Sequence, residues 1–211
     1  PRSRESSVIA LDLDGTLEDS RDDMVAAVAR TRREHGLSPL EDAQIRPNVS
    51  KGMPHLYATC LGELSNPAPG FARQYEAGIV VKTKLYPGIR EALIQLSEPL
   101  AVVTNKPERL SITLLEALGI LPLISTVIGG DSCTEAKPSP IMLQEAVRRC
   151  GGPVIMVGDS AGDIKMAHAF GCPVVWAGWG YLDEAPAGSD AVAMQPQDLP
   201  SVIADLVTRR R

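Results

Sequence analysis

From Leu100 onward the sequence keeps one rhythm, a short apolar run followed by a longer stretch with helical spacing. LAVVT (100–104), ISTVIGG (124–130), PVIMVGD (153–159), CPVVWA (172–177) and a shorter DAVAM (190–194) read as strands. Residues 108–118, 139–150, 161–170 and 197–208 read as helices. Such alternation predicts a parallel sheet covered on both faces, an α/β core of Rossmann-like type. A further apolar run, Val8 to Leu11, ends in the polar stretch DLDGT. Because it ends as the later strands do, it belongs to the same sheet.

Between that first strand and Leu100 no strand pattern is evident from 20 to 82. Helical patterns fall at about 21–35, 39–46, 53–64 and 69–82, separated by the loop-like stretches RPNVSKG and SNPAPG. Asp19 or Ser20 can cap the first of these helices. Tyr86, Pro87 and Gly88 open another helix, to about 97. The connection is too long for an ordinary strand-to-helix loop. The expected organisation is therefore a core of residues 1–17 and 85–211 with an all-helical insertion at 18–84. The simplest place for that insertion is over the C-terminal ends of the strands, as a cap.

With 211 residues, 44% of them hydrophobic, the chain can bury a sizeable core. The formal net charge of −5 argues against a broad nucleic-acid or anionic-membrane surface. It leaves room for a small anionic substrate, because a bound metal can supply local positive charge. Cys60, Cys133, Cys150 and Cys172 form no CxxC pair and fit reduced thiols. No apolar run reaches the ~18 residues of a membrane span. The start, PRSRESS, reads as a polar tail, and Arg209 to Arg211 as a solvated helix end. These features fit a cytoplasmic protein, monomer or homodimer.

The chemistry collects at four strand ends. Asp12 and Asp14 alternate on an extended chain and so begin on one side. Two close carboxylates are costly unless a cation or proton sits between them. Gly15 lets the backbone turn directly after them. Thr104 and Asn105, just before Pro107, offer a hydroxyl and an amide beside a helix start, a possible phosphate cradle. Lys137 precedes Pro138 and a helix beginning near Ser139 or Pro140. An ammonium there is electrostatically poor unless an anion lies between it and the helix end. Asp159 leaves the strand of VGDSAGD, and Asp163, in the first turn of the next helix, leans back toward it. Each signal alone also reads as a cap, a turn or a solvated side chain. Together they point to one metal and anion site, since ligands of open parallel sheets bind at the C-terminal strand ends. The residue chemistry does not say which carboxylate attacks.

These motifs in this order resemble the haloacid dehalogenase superfamily of phosphohydrolases. The matching elements are DLDGT at 12–16, VVTNKP at 102–107, KPSP at 137–140 and VGDSAGD at 157–163, spanning nearly the whole chain. Phe71, Tyr75, YPG at 86–88, GGD at 129–131 and WGY at 179–181 are most similar to the phosphoglycolate phosphatase branch, which carries a helical cap after the first strand. Two positions depart from that pattern. Phe170 stands before Gly171 where the family usually has Ala, and VSKG at 49–52 stands where it more often reads G-x-G.

The resemblance implies a small phosphorylated metabolite, such as 2-phosphoglycolate, as substrate. It implies Asp12 as nucleophile, forming an aspartyl phosphate, and Asp14 as general acid and then base. It implies Mg²⁺ held by Asp12, Asp159 and the backbone carbonyl of Asp14, a shell of oxygens that suits this ion. Thr104, Asn105 and Lys137 would bind the phosphoryl group, with Asp163 supporting the metal or Lys137 from behind. Lys51, in the VSKG loop, is a candidate for reading the rest of the substrate. A phosphatase or mutase of sugar phosphates is the alternative within the superfamily, although Thr16 favours a phosphatase. A dehalogenase would lack Asp14. A phosphorylation switch resembling receiver domains would explain neither Asp14 nor the long helical insertion.

Overall fold

The computed structural model describes residues 7–209. Of the polar tail PRSRESS, residues 1–6 lie outside the described residues, as do Arg210 and Arg211 of the basic end. Contacts divide the chain into two compact units: residues up to Glu18 with those from Leu85 on, and Asp19–Lys84.

The first unit is built on β1 (Val8–Leu11). The chain leaves it through a two-residue strand, β2 (Glu18–Asp19), and returns through β3 (Lys84–Leu85). Then follow β4 (Leu100–Val103), β5 (Thr126–Ile128), β6 (Val154–Gly158), β7 (Val174–Ala177) and β8 (Ala191–Ala193). Six of these strands form one sheet in the order β5-β4-β1-β6-β7-β8, every pairing parallel. All four side chains of β1 are fully buried, which is what a central strand covered on both faces requires. Val8 and Ala10 join a cluster with Met142, Leu143, Ile164 and Ala167 of the covering helices. Ile9 and Leu11 alternate to the opposite face.

The register aligns Leu11 with Val102 on one side and Val157 on the other. The residues that follow these three strands are thereby brought to one edge. The strand order reverses at β1, so this edge is the switch point at which open α/β sheets bind ligands. The helices between strands are α5 (Ile89–Gln95), α6 (Glu108–Ala117), α7 (Ile141–Cys150) and α8 (Ala161–Phe170), and α9 (Leu199–Arg209) follows the last strand, all close to the periodicity reading.

The second unit holds α1 (Arg21–Glu34), α2 (Asp42–Val49), α3 (Met53–Cys60) and α4 (Ala68–Glu76). Ser20 is the N-cap residue of α1 but makes no side-chain cap bond; the backbone N–H of Arg21 goes instead to Asp19 Oδ1. The Asp23 carboxylate accepts the backbone N–H groups of Lys82 and Thr83 and the Thr83 hydroxyl, joining the two ends of the unit. Arg32, buried, donates to the carbonyls of Ser38 and Cys60 and pairs with Glu63 at 2.9 Å.

Boundaries here differ from the sequence reading. The second helix begins at Asp42 rather than 39, because Glu41 and Gln44 cap it reciprocally. It runs through Pro47 to Val49, so half of RPNVSKG is helical and not loop. The α4 helix begins inside SNPAPG, at Ala68, with Pro tolerated in its first turn. It stops at Glu76, well before 82, where Gly78 packs on the Arg30 guanidinium and Val80 takes a left-handed φ of 62°.

The burial of β1 generates a stability prediction. Ile9→Ala should destabilise the protein by about 2–5 kcal/mol, the usual cost of emptying a packed core site. Urea unfolding should show a lower midpoint with an unchanged slope.

Candidate active site

Asp12 is the first residue past β1, and its backbone N–H continues the strand pairing to the Val157 carbonyl at 2.9 Å. Its side chain turns back on itself: Oδ1 accepts the N–H of Leu13 at 2.7 Å. The same oxygen lies 2.7 Å from Lys137 Nζ. Lys137 also donates to Asp163 Oδ1 at 2.7 Å. The ammonium that sequence reasoning left beside a helix start is thus held between two carboxylates, with its side chain only 4% exposed. Its backbone is tied down as well, the N–H donating to Asn105 Oδ1 at 2.9 Å.

Asp163 is fixed by the start of α8. Its Oδ2 accepts the Ser160 hydroxyl at 2.6 Å and the Ser160 N–H at 3.1 Å, in a reciprocal cap. Gly158 leaves room for it, since a Cβ there would overlap the Asp163 carboxyl. Asp159, the first residue past β6, accepts the N–H of Tyr181 on Oδ2 at 2.8 Å. Its backbone carbonyl accepts the Trp176 indole N–H at 3.2 Å. Gly15 and Gly180 both face its side chain, and a Cβ on either would overlap it. Trp179 donates to the Thr16 carbonyl at 2.9 Å, closing the segment after β7 onto the DLDGT turn.

Asp12, Asp159 and Asp163 offer carboxylate oxygens within 4.8 Å of one another, all three buried. Three carboxylates face one ammonium. The consequences appear in their protonation. Burial, then the charge of Asp163, pushes the Asp159 carboxyl up to about 7. Burial and Asp163 also raise Asp12 well above the ordinary range, against the pull of Lys137. Burial alone would lower Lys137, but the charges of Asp12 and Asp163 outweigh it and hold the ammonium protonated. An all-oxygen set with excess negative charge fits a hard divalent cation. Both oxygens of Asp163 are engaged by Lys137 and Ser160, whereas the bonds to Asp12 and Asp159 each fall on a single oxygen. Asp12 and Asp159 are therefore the better ligands, with Asp163 behind Lys137.

Asp14 stands apart from that cluster. Its Oδ1 lies 2.6 Å from Lys106 Nζ. Lys106 is buried and reaches Glu18 at 3.6 Å on its other side. Thr104 is buried, and its Oγ1 accepts the N–H of Lys106 at 3.2 Å. Asn105, read as part of a phosphate cradle, spends its amide oxygen on the Lys137 backbone. Lys51 is an exposed residue of the other unit, between α2 and α3. The GGD segment acts locally, with Asp131 Oδ1 capping α6 by accepting the Glu108 N–H at 2.7 Å.

Sequence reasoning passed over Lys106 and Glu18. The signal for Lys106 lay inside TNKP, as a charge between an apolar strand and a helix start. Glu18 offered none, because one acid after a turn reads as solvent-facing.

A profile of the haloacid dehalogenase-like hydrolases matches residues 9–177. A Chromobacterium violaceum protein named phosphoglycolate phosphatase is 36% identical over 198 residues, covering 86% of this chain and 89% of its own. A Xanthomonas campestris protein of the same name is 37% identical over 206 residues, covering 90% and 93%. The crystal structure of a Haemophilus somnus protein, described as a predicted phosphoglycolate phosphatase, superposes with a TM-score of 0.82 at 27% identity. It covers 96% of this chain and 100% of its own. Among the described residues no helix is long and apolar enough to cross a membrane.

The raised carboxyls of Asp12 and Asp159 make the metal-free protein pH-sensitive. The native state keeps a proton on Asp159 up to about 7, while the unfolded chain loses it near the ordinary 3.8. Between those values the native state binds more protons, so stability falls as pH rises. Metal-free thermal melts should drop by the equivalent of a few kcal/mol from about pH 4.5 to 7.5. Asp159→Asn should flatten the slope, and a divalent cation should raise the melting temperature most at the alkaline end.

Proposed function

This chain belongs to the haloacid dehalogenase-like hydrolases, and we propose that it hydrolyses a small phosphomonoester, 2-phosphoglycolate or a close relative, with Mg²⁺. The observation that carries the reading is the buried Asp12 at the end of β1, paired with Lys137 and faced by Asp159. The name carried by relatives at 36–37% identity supports the substrate class.

In this reading Asp12 is the nucleophile. One of its oxygens forms a bond to phosphorus as the leaving oxygen departs, giving an aspartyl phosphate. Lys137 holds Asp12 by its other contact and screens the approach of a phosphoryl dianion to a carboxylate. Thr104 adds a hydroxyl at the neighbouring strand end, and Asn105 acts by fixing Lys137. Asp14 protonates the leaving oxygen and then accepts a proton from the water that attacks phosphorus. Asp12, Asp159 and the Asp14 backbone carbonyl would hold Mg²⁺, which supplies positive charge to the transferring oxygens. Asp163 keeps Lys137 in place. The unit Asp19–Lys84 serves as the cap, excluding water and reading the remainder of the substrate.

Incubation with 2-phosphoglycolate and Mg²⁺ should release inorganic phosphate catalytically; chelation should abolish this and Mg²⁺ restore it. Asp12→Asn should give no phosphoenzyme, because an amide is not a competent nucleophile. Stoichiometric phosphorylation without turnover, or near-normal turnover by Asp12→Asn, would sink the proposal.

Lys51 is proposed to read a substrate carboxylate. Gly52, at φ 88°, lets the loop turn where a Cβ would strain it. Lys51→Ala should weaken 2-phosphoglycolate by ~1–3 kcal/mol, the scale of a charged hydrogen bond. A neutral aryl phosphate should be nearly unaffected. Equal effects on both substrates would remove Lys51 from the specificity machinery.

A further inference from the structure

The pair formed by Lys106 and Glu18 has no part in the chemistry above, yet it ends on Asp14. We infer that Lys106, anchored by Glu18, is a positioning residue that holds the Asp14 carboxylate where it exchanges protons with the leaving and attacking oxygens. The inference rests on the phosphatase reading.

Four observations support it. The three side chains form a row from interior to site: Glu18 is fully buried, Lys106 is 4% exposed and Asp14 is 20% exposed. The tight contact of Lys106 is with Asp14, at 2.6 Å, and the looser one with Glu18, at 3.6 Å. An ammonium present only to neutralise Glu18 would sit closest to Glu18. Lys106 is also held at its backbone: its N–H donates to Thr104 Oγ1, and its carbonyl accepts the N–H of Gly130 at 3.0 Å. Finally, the turn after Asp12 brings Glu18 back beside Asp14, its N–H donating to the Leu13 carbonyl at 3.2 Å and its carbonyl accepting the Gly15 N–H at 2.9 Å.

A lysine side chain is long and has many rotamers, so by itself it positions poorly. Buried itself and set between two carboxylates, it becomes a fixed strut. Asp14 lies outside the Asp12–Asp159–Asp163 cluster, and Lys106 is the ammonium placed 2.6 Å from it.

Two proton movements depend on its placement. As Asp12 bonds to phosphorus and the leaving P–O bond breaks, Asp14 gives its proton to the leaving oxygen. As water bonds to phosphorus and the Asp12–phosphorus link breaks, Asp14 takes a proton from that water. Misplacing a catalytic group by about 1 Å costs up to ~10²-fold in rate.

The test uses the full chain with Mg²⁺ and two variants, Lys106→Met and the doubly neutral Lys106→Met/Glu18→Gln. Removing Lys106 alone strands the Glu18 charge and can harm folding; the double variant relieves that. For 2-phosphoglycolate the double variant should regain the melting temperature while kcat stays about 10–100-fold down and KM moves little. With 4-nitrophenyl phosphate the leaving phenolate needs no proton, so the burst of product should keep its wild-type rate and the steady state after it should slow. Recovery of kcat together with stability would overturn the inference, leaving Lys106 as a neutraliser of Glu18. So would a burst slowed as much as the steady state. A wild-type protein that turns over neither ester would instead refute the phosphatase reading, and this inference with it.

Discussion

The ammonium of Lys137 is the pivot of the active unit. Three carboxylates meet at the ends of β1 and β6, and their mutual repulsion in a buried site would oppose folding without it. Lys137 bridges Asp12 to Asp163, each at 2.7 Å, and so couples the end of β1 to the start of α8. The compensation is incomplete by one ammonium against three acids. A cluster built only for stability would replace such groups with packed apolar ones, often at no loss. Residual negative charge at a strand edge is the feature a cation site needs, and a bound cation would offset the cost of burying ionised Asp12 and Asp159.

Around that pivot the loop after β4 does two jobs with adjacent residues. Asn105 accepts the backbone N–H of Lys137 and so fixes one ammonium. Lys106 carries a second ammonium to Asp14. Thr104 connects them, its hydroxyl accepting the Lys106 N–H. The loop is itself anchored from β5, through the bond from Gly130 to the Lys106 carbonyl and the Asp131 cap on α6. A short segment thereby sets the spacing between two clusters, each an ammonium among carboxylates.

The parallel sheet was legible because β1, β4 and β6 are unbroken apolar runs and β-α alternation admits few topologies. From that, Asp12, Thr104 and Asp159 could be placed on one edge, since each follows a strand directly. The family resemblance carried the assignment of Asp12 over Asp14, which residue chemistry left open. What stayed hidden depends on contacts distant in sequence. Lys106 meets Asp14 across 92 positions, and Asn105 meets Lys137 across 32. Local reading offered Asn105 to a phosphate without its bond to Lys137, and gave Lys106 nothing. The α2 boundary was missed for a different reason: Pro47 suggested a loop, but the Glu41–Gln44 cap had already placed the helix across it.

The way these contacts use up polar groups bears on substrate choice. At the strand ends Lys137 is engaged by two carboxylates, Lys106 by two more, and the Asn105 oxygen by a backbone N–H. The two buried cations of this edge are committed to holding acids, and neither is spare to pair with a carboxylate distant from the phosphoryl group. In the proposed reading, an edge of this composition recognises what phosphomonoesters share, the phosphoryl oxygens and the cation that accompanies them. Discrimination between one small ester and another then has to come from side chains outside the strand ends. In the proposed reading, Asp12, Thr104, Lys137 and Asp159 set the chemistry of this chain and leave the choice of ester to residues beyond the strand ends.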